Sequence, residues 1–87
     1  MNDRDLAEEL FAVAAPSGDW AIKGAIAAGE YVAAIIDLVE QAAIRSIRLP
    51  QNLVDAVVNF IDDPALDADD IAAIREDLAT LAALEQS

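Results

Sequence analysis

No cysteine and no histidine occur among the 87 residues, and lysine occurs once. Without cysteine there is no disulfide framework, no thiol nucleophile and no thiolate zinc site. Without histidine the commonest general base is missing too, so the aliphatic hydroxyls of Ser17, Ser46, Thr80 and Ser87 have only Lys23 to activate them. Carboxylates are plentiful, but they need burial or close pairing to reach a pKa useful in acid–base work, and their positions fall on outward helix faces. We expect no enzymatic activity, no cofactor and no metal.

Basic residues are scarce as well: 5 against 17 acids leave a formal net charge of −12. Direct binding to nucleic acid or to an anionic membrane needs clustered Lys and Arg, so neither is expected. The longest apolar stretch, residues 20–36, is broken by Lys23 and Glu30 and falls short of the ~20 clean residues of a membrane span. "MNDRDLAEEL" at the start has neither the basic nor the apolar region of a signal peptide. A cytoplasmic protein is the expectation.

What is present is apolar and helical. Hydrophobic residues make up 56% of the chain, much of it alanine, which favours helix while burying little area. No stretch alternates in the manner of a strand, and no repeat or low-complexity linker divides the chain. We predict an all-α protein, a compact bundle of four to five short helices in a single helical domain, 1–87.

The first helix starts at Asn2 or Asp3, with Asn2 and Asp5 spaced as in a capping box, and ends near Ala15 at "APSG". Leu6, Leu10 and Val13 give it an apolar stripe, widened by Ala7, Phe11 and Ala14. A second helix, capped by Ser17 or Asp19, carries Trp20, Ile22 and Ile26 to a stop at Gly29. Trp20 and Tyr31 are expected in the core, with a partner-binding anchor as the alternative for each. The third helix, about Glu30 to Ser46, is apolar on most of its circumference. "RLPQN" ends it, and Pro50 opens a fourth with Leu53, Val54, Val57, Val58, Phe60 and Ile61. Asp63-Pro64 reads as a turn, Asp67 as the cap of a fifth helix whose seam is Ile71, Ile74, Leu78 and Leu81.

Around that turn, Asp62, Asp63, Asp67, Asp69, Asp70, Glu76 and Asp77 place seven acids in sixteen residues. Acids at a helix N-terminus offset its unpaired N–H groups and dipole, which accounts for Asp67, Asp69 and Asp70 without a ligand. A calcium loop counted from Asp67 fails at Ile71, Ala72 and Leu78, where a ligand, a glycine and a ligand are needed. As an acidic surface the segment has a further use: acids seven residues apart lie about 10.5 Å apart on one helix face, close to phosphate spacings on a duplex. Asp69 with Glu76 and Asp70 with Asp77 form two such rows. Arg45 and Arg48, one turn apart at the end of the third helix, suit the negative end of its dipole and are candidates for an anion site or, before that, for partners of this acidic turn.

In size, charge and helicity the chain resembles acyl carrier proteins. Those carry their prosthetic group on the serine of an Asp-Ser-Leu motif that opens a helix, whereas Ser46 follows Arg45 in "IRSIRL" and closes one, so carrier function is not implied. "AGEYVAAI" resembles the turn of one tetratricopeptide helical pair, with no array around it.

The composition thus points to a small acidic module that binds protein, itself included. A third helix apolar on nearly all sides needs cover that short, alanine-rich neighbours are not expected to supply, which predicts a homodimer through Gly24, Ala28, Val32, Ile36 and Val39. Gly24 with Ala28, and Ala25 with Gly29, are small pairs that would let two helices approach closely. The alternative is an acidic inhibitor or nucleic-acid mimic, of the kind a phage or mobile element encodes, occupying a basic groove on a DNA- or RNA-handling protein.

Overall fold

Tyr31–Ile44 is the helix on which the rest of the chain is assembled. The computed structural model describes residues 1–14 and 20–85, the side chain of Glu85 excepted. Within them the element order is α1 Asp3–Ala14, α2 Trp20–Ala27, α3 Tyr31–Ile44, α4 Gln51–Phe60 and α5 Ala68–Glu85, with no strand among the described residues. The "APSG" stop and the Ser17 or Asp19 cap lie outside the described residues.

Local chemistry sets the helix ends. Asn2 Oδ1 accepts the Asp5 N–H at 2.7 Å, satisfying one of the first-turn donors of α1. At the end of α2, Gly29 adopts φ +80°; its N–H reaches Ile26 O at 3.1 Å while Glu30 N–H reaches back to Ala25 O at 2.8 Å. That pair of bonds is a Schellman stop, and glycine takes its left-handed position without steric cost. The end of α3 repeats the device with Ser46 at φ 55° and the Ile47 N–H on Ala42 O at 2.9 Å. Pro50 stands at the N-cap of α4, where a missing N–H costs nothing.

α3 packs against α1, α5 and α2, while α4 rests chiefly on α1. Its Ala34, Ile35, Leu38, Val39 and Ala42 are fully enclosed, facing Leu6, Ala7, Leu10 and Ala14 of α1 and Ile74 and Leu81 of α5 in one core. No buried polar side chain interrupts that core among the described residues. The surface area of 5043 Å² is close to the roughly 4,900 Å² expected of a folded 9.2-kDa monomer. The single chain therefore closes its own core.

Val32 and Ile36 stay half-buried and Ile44 is 65% exposed, but the enclosed face of α3 needs no second copy. Alanines at the contacts, all solvent-free at 7, 14, 34 and 42, let short helices lie close enough to cover it. Three further expectations change. Val13 is 39% exposed, because the buried stripe of α1 is centred between Leu10 and Ala14 and leaves residue 13 at its margin. Val58 points away from the Leu53, Val57 and Phe60 stripe and is exposed. Trp20, expected in the core, is 76% exposed.

Candidate interaction surfaces

The α4–α5 connection is held by its own aspartates. Asp63 Oδ1 accepts the Ala65 N–H at 2.8 Å and Asp63 O accepts the Leu66 N–H at 3.1 Å, which makes the turn at Pro64. Asp67 Oδ1 accepts the Asp70 N–H at 2.8 Å and caps α5. Asp62, Asp67, Asp69 and Glu76 are exposed, whereas Asp63, Asp70 and Asp77 are half-buried. Of the two seven-residue rows, the one formed by Asp69 and Glu76 therefore lies on open surface and the other is partly withdrawn. No group of three acids among the described residues is placed to hold a metal ion.

Two carboxylates sit among like charges. Partial burial, the charge of Asp63 and a hydrogen bond with it push Asp3 above the usual carboxylate value of 3.8. Burial, then Glu40 across on α3 and Glu76 on its own helix, push Asp77 upward in the same way. Arg48 Nη2 donates to Leu84 O at 2.8 Å and so closes the far end of α5. There a cation meets the negative end of the helix dipole.

α2 is the opposite kind of surface. Its sequence, WAIKGAIA, is almost wholly apolar, yet Ile22 alone is buried and Trp20, Ala21, Gly24 and Ala27 face solvent. Lys23 Nζ stands 5.5 Å from the centre of the Trp20 ring. A side chain built at Gly24 would meet nothing within 4 Å, so no neighbour uses the space that this glycine leaves. Of the five predicted self-association residues, Gly24 and Ala28 are exposed, Val32 and Ile36 half-buried, and Val39 enclosed at 0%. Val39 belongs to the core and is withdrawn from any interface.

No family model, curated protein or solved structure matches this chain. What it can do is therefore read from its own surfaces. Thr80 Oγ1 donates to Glu76 O at 3.2 Å, bonded back onto its own helix, and Ser46 is committed to the left-handed turn after α3. Ser17 and Ser87 lie outside the described residues. No helix among the described residues is long and apolar enough to cross a membrane. Exposure of α2 was hidden from sequence reasoning because an apolar octapeptide reads as core; the available signal was its charge. Residues 10–29 hold one acid, Asp19, and one base, Lys23, so this segment is neutral in a chain of net charge −12.

Proposed function

We propose that this protein is a small cytoplasmic interaction module, non-enzymatic, that pairs with a second copy of itself through the exposed face of α2. The observation that carries the reading is Trp20, the sole tryptophan, 76% exposed on an apolar helix. Single exposed aliphatics are ordinary, but an exposed tryptophan beside exposed small residues has the makeup of an interface anchor. The neutral charge of residues 10–29 supports self-pairing: two copies meeting there oppose their least charged regions, while the acids of the α4–α5 connection lie on other elements. Screening over a Debye length of about 8 Å near 0.15 M salt reduces the remaining repulsion.

Sedimentation from micromolar to hundreds of micromolar tests this, with Trp20 emission followed in parallel. We expect a concentration-dependent dimer, strengthened by salt, and a blue shift as Trp20 leaves water. Gly24→Arg should abolish both without unfolding the chain, because the site is open. A monomer throughout the range, with unshifted emission, sinks the reading.

A second reading rests on the exposed row of Asp69 and Glu76. An acidic face of that spacing would suit the basic groove of a DNA- or RNA-handling protein, as in a phage-encoded inhibitor. Capture of a partner that is released by a salt gradient separates it from apolar pairing, which salt tightens.

A further inference from the structure

Between the Gly29 turn, the first half of α3 and the start of α5 lies an open groove of about 680 Å³, within the size range of ligand sites. Tyr31, Val32, Ile36 and Ala65 give it an apolar floor, and the acids lining it are Glu30, Asp37 and Asp70. No basic residue lines it. We propose that this groove receives a basic amphipathic helix of another protein. Its apolar side would lie on Val32, Ile36 and Ala65 and its Lys or Arg side chains at Glu30 and Asp70.

Three observations select this occupant. The groove is shallow and open to solvent, which suits a polypeptide segment; small molecules favour clefts that enclose most of their surface. Its carboxylates are separate, since no three acids among the described residues converge on a point where a metal ion would sit. Separate charges match cations spaced along a helix better than one compact ion. The net charge of −12 steers a basic partner toward the molecule and disfavours a second copy at a groove whose charged lining, among the described residues, is acidic. This surface is distinct from the outer face of α2, and its occupation does not depend on self-association.

The probe is a synthetic Leu/Lys peptide patterned with one apolar and one basic helical face, titrated into the full chain by calorimetry and amide chemical-shift mapping. A peptide of the same composition, scrambled to destroy the two faces, is the control for charge alone. We expect one-to-one binding, shifts centred on Tyr31, Val32, Ile36 and Ala65, and affinity for the scrambled peptide lower by about tenfold or more. Glu30→Gln with Asp70→Asn should weaken binding by about three- to tenfold, as two partly exposed ion pairs are lost. Ala33→Arg, at an exposed position on the groove wall, should block it with the helical circular dichroism unchanged. Gly24→Arg, which breaks α2 pairing, should bind the peptide as the parent does. Equal affinity for the scrambled peptide, shifts centred elsewhere, or undiminished binding by Ala33→Arg overturns the proposal.

Discussion

α2 and the α4–α5 connection depart from the rest of the chain in opposite directions, one apolar and neutral, the other dense in acid. Judged by composition, the acidic segment is the more conspicuous. Judged by structure, much of it is explained: Asp63 makes a turn, Asp67 caps a helix, and both do so through hydrogen bonds of 2.8 Å to nearby N–H groups. Among the described residues, Lys23 alone is recorded against the Trp20 ring, and nothing fills the open space at Gly24. Residues that the fold does not use are better pointers to function than residues that merely stand out.

The sharpest way to break this contrast is to truncate an apolar side chain of each kind. Leu38→Ala, in the solvent-free centre, should cost about 2 to 5 kcal/mol of monomer stability. Trp20→Ala should cost the monomer about 0.5 kcal/mol or less, as for other surface changes, while removing self-association. Denaturant titrations at a concentration below dimerisation compare the two. A Trp20→Ala loss of the Leu38→Ala size would return Trp20 to the core.

Within the acidic region, Asp67→Ala should cost about 1 kcal/mol by removing the α5 cap. Asp69→Asn, at an exposed first-turn position, should cost about 0.3 to 1 kcal/mol at low salt and less as salt is added. Equal, salt-insensitive losses at both positions would erase the distinction between a bonded acid and a solvated one.

Smaller gains are expected at two backbone positions. Gly24→Ala should stabilise the monomer by up to about 1 kcal/mol, because α2 has an exposed interior glycine with empty space beside it. Ser46→Gly should gain of order 0.5 to 1 kcal/mol by relieving a left-handed serine. If Gly24→Ala stabilises the monomer yet weakens the dimer, the glycine is kept for close approach at the interface.

The smallest effect is in pH. Asp3 and Asp77 have folded pKa values above the ordinary carboxylate value, so the folded state binds more protons between 3.8 and their raised values. Stability then falls as pH rises through that window and is recovered as pH falls back through it. The melting temperature at low salt should rise as pH is lowered from 7 toward 5, the wider self-repulsion of the chain acting in the same sense. Salt near about 0.5 M should remove most of the rise, and Asp3→Asn with Asp77→Asn should remove the part that falls between 3.8 and the raised values of these two groups. A melting temperature that instead falls steadily over this range would show the acids locked in favourable local roles.

Helix positions were legible because their ends are written in local chemistry. Asn2, Gly29, Pro50 and Asp67 act at the residues where side-chain type alone places a cap or a stop. Coverage was not legible. Periodicity gives the width of an apolar stripe, but which margin is buried depends on the neighbour, as Val13 and Val58 show. Alanine was read as poor burial, whereas at 7, 14, 34 and 42 its smallness lets helices approach, and the inner face of α3 is enclosed by α1 and α5. Among site residues, the acidic segment was found by counting and Gly24 by the spacing of small residues, whereas the exposure of Trp20 was found only by accessibility.

The placement of α4 and α5 has a consequence for how the molecule opens. α4 leans chiefly on α1 and α5 on α3, and between them lies a crevice of about 200 Å³ floored by Leu49, Val54, Leu78 and Leu81. Arg48, in the segment between α3 and α4, spans to the last turn of α5 with a bond of 2.8 Å. Each outer helix thus rests on its own support, and among the described residues the apolar core they share contains no buried polar side chain to hold them in step. Amide protons should be released in separate parcels, α3 last, with α4 and α5 each exchanging on its own clock.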